Sequence, residues 1–339
     1  MSLDIKLLKK ESLEQWFGKI SASGRRILAP VERGGKVLFE EVSSPAEMAG
    51  DYIQTTLSAK SAVFPRCEEL FGYALEGKEV KLEERKKEPQ PTVVFGCRPC
   101  DAASFAILNS VFSWDCPDEL FKQRLDKTAV VSISCKKSDQ YCFCASVGGG
   151  PGDTKGSDVL LTELGSGDYL AEVITDKGKK LVALAPELFG AAPAEDKAKN
   201  LAKVPKEFDL KALSEKLGRL FDNNEFWLEQ SLGCLGCGAC AFACPACVCF
   251  DLQDEGNKKG GRRLRCWDSC GFALFTLHAS GHNPRPAQSQ RWRQRVMHKF
   301  GYLPDRLNYL GCVGCGRCSR LCPADMNLLE HLKEIMNRD

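Results

Sequence analysis

Two segments of this chain, 78 residues apart, share one cysteine spacing: Cys234-x2-Cys237-x2-Cys240-x3-Cys244-Pro245 and Cys312-x2-Cys315-x2-Cys318-x3-Cys322-Pro323. The flanking residues rhyme as well, LGCLGCGACAFACPA against LGCVGCGRCSRLCPA. Three thiolates two residues apart wrap a tight loop around one iron–sulfur cubane, and glycines between them admit backbone N–H groups to its sulfurs. The fourth cysteine, just before proline, points away and reaches the other cluster. The spacing therefore predicts one [4Fe–4S] cluster on Cys234, Cys237, Cys240 and Cys322, and a second on Cys312, Cys315, Cys318 and Cys244. A zinc ribbon is the plain alternative, but it requires only two Cys-x2-Cys pairs. It explains neither the third cysteine nor the Cys-Pro.

The other cysteines follow the same logic. Of 19 in 339 residues, seven lie between Cys67 and Cys144 and twelve between Cys234 and Cys322, with none in between. The opening MSLDIKLLKK has no apolar signal region, and the apolar stretch 102–114 is too short to cross a membrane. The expectation is a cytoplasmic protein, not integral to a membrane, whose thiolates serve metal rather than disulfides. A formal net charge of +2 argues against a nucleic-acid partner.

The first part reads as an α/β or α+β domain, residues 1–185. LEQWFGKI (13–20) has helical period, and 25–31 with 36–42 form a hairpin across Gly34-Gly35. TVVFGC (92–97), the helix 102–112 capped by Asp101, and TAVVSISC (128–135) make a βαβ unit with parallel strands. Segments 158–164, 168–175 and 179–185 read as an antiparallel meander. A mostly helical connector, 186–232, follows, with a helix over 208–221. The last part, 233–339, is a bacterial-type dicluster ferredoxin domain with a large insertion, 250–310. Its short apolar runs are expected to be held together by metal rather than by an ordinary core.

In the βαβ unit Cys100 and Cys135 fall on the carboxyl edge of the sheet, with Cys142 and Cys144 in the loop that leaves it. These four are candidates for a third [4Fe–4S] cluster separable from the C-terminal pair. Cys97 could replace Cys100, and zinc or buried inert thiols are the alternatives. The glycines of SVGGGPGD (146–153) read as a flexible turn, with a phosphate cradle as the sharper alternative. In the insertion, Cys247, Cys249, Cys266 and Cys270 are candidates for one extra site. The insertion is also basic: from Lys258 to Lys299 there are ten lysines and arginines, Arg293 and Arg295 among them, against Asp268 alone. Such a stretch can offset cluster charge or dock an acidic partner.

With these residues in place the chain resembles the iron–sulfur (beta) subunits of sulfhydrogenases and the corresponding iron–sulfur subunits of anaerobic sulfite reductases. The resemblance rests on FGCRPCD (95–101), SCKKSDQYCFC (134–144), GCLGCGACAFACPACVCFD (233–251), WDSCGF (267–272), SGHNPRP (280–286) and GCVGCGRCSRLCP (311–323). It agrees with Cys100, Cys135, Cys142 and Cys144 as a set and does not require Cys67, Cys97, Cys116 or Cys266. It implies an electron-transfer subunit of a multi-subunit oxidoreductase. Such a subunit passes electrons between a flavoprotein that reacts with NAD(P) and a catalytic subunit of hydrogenase, sulfite reductase or heterodisulfide reductase type. No catalytic residues are expected, and no flavin in this chain. The alternative is a flavin- or cluster-dependent reductase that acts directly on a small molecule.

Overall fold

In the computed structural model, which describes residues 4–84, 88–193 and 197–338, the apolar runs of the first domain lie at the centre of a wide sheet. Its strands are β1 (Asp4–Leu8), β2 (Arg26–Arg33) and β3 (Lys36–Glu41), then, after a hairpin β4 (Cys67–Glu76) and β5 (Glu79–Glu83) that belongs elsewhere, β6 (Thr92–Cys97), β7 (Thr128–Ile133), β8 (Val159–Glu163), β9 (Tyr169–Val173) and β10 (Phe189–Ala191). The order is β10-β1-β9-β8-β7-β6-β2-β3. The central pairs β2–β6, β6–β7 and β7–β8 are parallel and the rest antiparallel. A parallel centre must be covered on both faces. On one face Trp16, Phe17 and Ile20 of helix α1 (Leu13–Ala22) bury against Val93, Phe95, Val131 and Leu161. On the other, Phe105, Leu108 and Phe112 of α2 (Pro99–Phe112) and Phe121 of α3 (Glu119–Lys127) cover Val94 and Val130. Each such side chain contributes about 1.5–3 kcal/mol of burial.

Two local expectations change. Helix α2 starts at Pro99, with Arg98 as its cap, so Asp101 sits in the first turn and does not cap it. The third strand of the meander is a helix, α4 (Asp176–Val182), capped by the Thr175 side chain. Gly178 is not a turn residue there: a Cβ on it would lie 2.1 Å from the carbonyl oxygen of Asp158. The glycine lets the helix press onto the backbone that enters β8.

The remaining helices are α5 (Leu210–Leu220), α6 (Asn224–Ser231), α7 (Ala239–Ala243), α8 (Gln288–Met297), α9 (Leu303–Leu307), α10 (Arg317–Arg320) and α11 (Leu328–Asn337). The cysteine-rich part has an ordinary apolar core, contrary to the expectation that metal alone would hold it. Leu213 and Leu217 of α5, Trp227 of α6, Trp292 and Val296 of α8, and Leu332 and Ile335 of α11 pack together, with Cys234, Cys312, Cys318 and Cys322 at the edge. The insertion and the connector supply most of that core. Early in the insertion, β11 (Phe250–Asn257) and β12 (Gly260–Trp267) form a hairpin that pairs with the N-terminal one, giving the sheet β11-β12-β4-β5. Among the described residues no helix is long and apolar enough to cross a membrane.

Candidate metal centres

Cys234, Cys237 and Cys240 precede or open α7, and Cys322 follows α10. The fold brings all four to the wall of one cavity, which Trp292 and Gln288 of α8 close. Gln288 Nε2 donates to Cys234 Sγ at 3.0 Å. Trp292 Nε1 is buried and has no hydrogen-bond partner. A buried N–H without an acceptor costs about 1–3 kcal/mol, and a cluster sulfide in that cavity would supply one. Burial pushes the Cys240 thiol up to about 11. Cys237 is exposed, beside the exposed side chains of Leu232 and Leu235.

The second motif approaches Cys244. Cys244 and Cys315 share an apolar pocket with Ile107, Ala246 and Val313. Lys299 Nζ donates to Cys244 Sγ at 3.3 Å and to the carbonyl oxygen of Gly311, beside Cys312, at 2.7 Å. Burial holds the Cys312 thiol up at about 12, with Cys318 and Cys315 adding to the shift.

In the N-terminal domain, Cys100 at the start of α2, Cys135 just after β7, and Cys142 and Cys144 line one further cavity. Cys315 of the second motif lines it too, so this group of thiols abuts the C-terminal domain. The contact is backbone to backbone. Gly314 and Gly316 adopt left-handed φ values of 63° and 71°. A Cβ on them would lie 2.5 Å from Cys144 N and from the Tyr141 carbonyl oxygen, respectively. Phe143 N donates to Gly314 O at 2.9 Å. Gln54 Nε2 donates to Cys100 Sγ at 2.9 Å and Arg320 Nη2 to Cys142 Sγ at 3.1 Å. Between Cys100 and Cys315 lies Arg317, paired with Asp101 at 2.7 Å, both 1% exposed; its Nη1 has no partner. Burial pushes Cys135 up to about 11 and Cys144 up to about 12. At neutral pH such thiols keep their protons until a metal displaces them. Cys97 is not in this cavity; it is fully buried in the apolar core under α2.

Of the four insertion cysteines, Cys266 is drawn away while Cys247, Cys249 and Cys270 stay near one another. Strand pairing sets Cys266 opposite Cys67, and the two form a disulfide. Cys266 is thus removed from the expected extra set, and the expectation of thiols kept for metal alone is corrected for this pair. Cys249 and Cys270 hydrogen-bond to each other, and Cys247 lies against Cys244. Among the described residues no three His, Cys, Asp or Glu side chains close on a single point as around one ion.

The basic insertion is not a free cationic face. Arg262 and Arg263 pair with Glu255 and Asp254 across the hairpin, and Arg265 is buried against Glu68 and Asp118. Arg293 donates to the Phe221 carbonyl at 2.9 Å. Arg295 and Lys299 are 5% and 4% exposed and turn inward. Sequence reasoning missed these two, with Gln288, Gln54 and Arg317, as neighbours of the thiols. Only the helical spacing 288, 291, 295, 299 marked one shared face.

The glycine loop lies in a wide cleft. Gly148, Gly149 and Gly150 line it together with Cys100 and Cys144 on one side and Tyr309 and Cys312 on the other.

A family described as a 4Fe-4S dicluster domain matches residues 233–326. The chain is 31% identical, over 342 residues, to sulfhydrogenase 2 subunit beta of Pyrococcus furiosus, with 97% of each protein covered. No solved structure matches. With two cubane motifs of [4Fe–4S] spacing and a relative aligned over nearly its whole length, the chain belongs to the sulfhydrogenase beta-subunit family of iron–sulfur electron-transfer proteins.

Proposed function

We propose that the chain carries three [4Fe–4S] clusters and relays electrons between two partner subunits, a flavoprotein that reacts with NAD(P) and a catalytic redox subunit. The ligand sets are Cys234, Cys237, Cys240 and Cys322; Cys312, Cys315, Cys318 and Cys244; and Cys100, Cys135, Cys142 and Cys144. When bound, these clusters supply one-electron transfer. The observation that carries the reading is the cavity of Cys100, Cys135, Cys142 and Cys144, whose wall includes Cys315 of the second set. The three thiol groups thus adjoin in a row, and the row reaches the surface at both ends. At one end is exposed Cys237 beside Leu232 and Leu235; at the other is the cleft lined by Cys100 and Cys144. Donors at each group, buried Lys299 and half-buried Gln288, Gln54 and Arg320, favour the ionised, ligated thiolates.

The complex purified with its partners tests this. Cys135→Ser should assemble normally and retain partner activities with artificial dyes, yet lose electron transfer from NAD(P)H to the catalytic partner. Undiminished transfer would refute the relay through the third group. A stoichiometric flavin released from the isolated chain, with reductase activity in the absence of partners, would favour the alternative of direct reduction.

A further inference from the structure

Three buried cations surround the thiols between the two motifs, and none has a carboxylate within ion-pair distance among the described residues. Lys60, 2% exposed, comes from the N-terminal domain; its Nζ donates to the carbonyl oxygens of Cys247 at 3.0 Å and Ala241 at 3.3 Å, above the Trp267 ring. Arg295 approaches Cys247 Sγ at 3.6 Å and donates to the Cys240 carbonyl at 3.3 Å. Lys299 donates to Cys244 Sγ. Unpaired buried cations are costly unless an anion answers them. The groups that answer them here are cysteine sulfurs, Cys244 Sγ beside Lys299 and Cys247 Sγ beside Arg295.

Arg295 and Lys299 share a face with Gln288 and Arg291, at spacings of three, four and four residues. This face runs the length of α8 and into a π-helical turn, His298–Tyr302. The donor that meets the ligand sulfur differs along the row of cysteines. At Cys234 the donor is the neutral amide of Gln288, whose Oε1 occupies the Arg291 guanidinium at 2.7 Å. Arg291 also donates to the carbonyls of Arg285 and Pro286. At Cys244 the donor is an ammonium. The π turn fixes it there, because Gly311 N donates to Lys299 O at 2.8 Å while Lys299 Nζ donates back to Gly311 O.

We propose that this face of the inserted helix sets the reduction potentials of the two ferredoxin-motif clusters apart. Lys299, seconded by Lys60, raises the one held by Cys244, Cys312, Cys315 and Cys318 above the one held by Cys234, Cys237, Cys240 and Cys322. A fixed positive charge stabilises the reduced, more negative state more than the oxidised one, so it raises the potential. Gln288 supplies a hydrogen bond without the charge. Lys299 acts as a positioning residue for the electron, holding it at the middle of the row rather than at exposed Cys237.

This inference rests on the cluster assignments proposed above, and the experiment separates the two. Full-length chain, purified anaerobically, is titrated potentiometrically and followed by electron paramagnetic resonance, with iron counted in each variant. Lys299→Gln retains a donor and removes the charge. It should shift the higher of the two dicluster waves down by at least tenfold in reduction equilibrium, about 59 mV for a one-electron couple. Lys299→Arg should restore the wild-type wave. Lys60→Gln should move the same wave in the same direction, which keeps the test alive if Lys299→Gln loses iron. Unchanged potentials with full iron in both Gln variants would overturn the inference. A wild-type chain that binds no iron at these cysteines would instead overturn the cluster assignment.

Discussion

The contact most exposed to test is the ion pair that joins the two parts of the molecule, Arg317 with Asp101. Arg317 stands between ligand candidates Cys315 and Cys318, and Asp101 lies in the first turn of α2. Their 2.7 Å contact is fully buried. Arg317 also donates to Thr55 O and Thr55 Oγ1, both at 2.8 Å. Truncation to Arg317→Met leaves the Asp101 carboxylate buried without its cation, a loss of about 3–5 kcal/mol for a broken buried pair. The lost Thr55 contacts bring the whole to about 4–6 kcal/mol. Asp101→Asn combined with Arg317→Met removes the stranded charge and should recover at least half of that loss. Anaerobic denaturant unfolding, followed by tryptophan fluorescence, measures all three variants. A loss below about 1 kcal/mol for Arg317→Met, or a double variant no better than the single, would refute the strut between the domains.

Other consequences follow from the same geometry. Cys67→Ala or Cys266→Ala should cost about 2–4 kcal/mol in unfolding experiments, because the link closes a long loop, and should leave iron content unchanged; loss of iron would return Cys266 to a ligand set. Gly314→Ala would drive a Cβ into Cys144 N, so it should lower iron by about one cluster and disturb the Cys142–Cys144 loop, read by iron analysis and limited proteolysis; full iron would contradict the close approach. Burial lowers the His331 pKa from its ordinary 6.5. The folded state therefore favours neutral imidazole, and stability should be complete above pH 6.5 and fall as pH drops below it. His331→Gln should flatten that limb of the stability–pH curve.

The parts legible in the sequence were those specified over a few residues. The two motifs are local spacings, and β6 and β7 are unbroken apolar runs whose burial on both faces needs no knowledge of partners. Where a residue type served two uses, the local reading chose the wrong one. Lys177-Gly178 looks like a turn, yet Thr175 caps a helix there, and Gly178 is small for the sake of contact with Asp158. The second sheet was hidden because β4 and β12 meet across 199 residues at Cys67 and Cys266, a pairing that no local pattern announces. The charge of the insertion was counted correctly, but counting cannot tell a solvated arginine from Arg295, which is buried against Cys240 and Cys247. The thiols that surround one cavity from two domains, Cys100 to Cys144 with Cys315, were legible as four and not as five.

The most direct measurement of the central claim is iron and acid-labile sulfide per chain in anaerobically purified wild-type protein and in Cys135→Ser. Three clusters predict about twelve irons in the wild type and about eight in the variant, four per cubane, with the dicluster resonance unchanged. About eight irons in both would contradict the account and leave Cys100, Cys135, Cys142 and Cys144 as buried thiols beside a two-cluster protein.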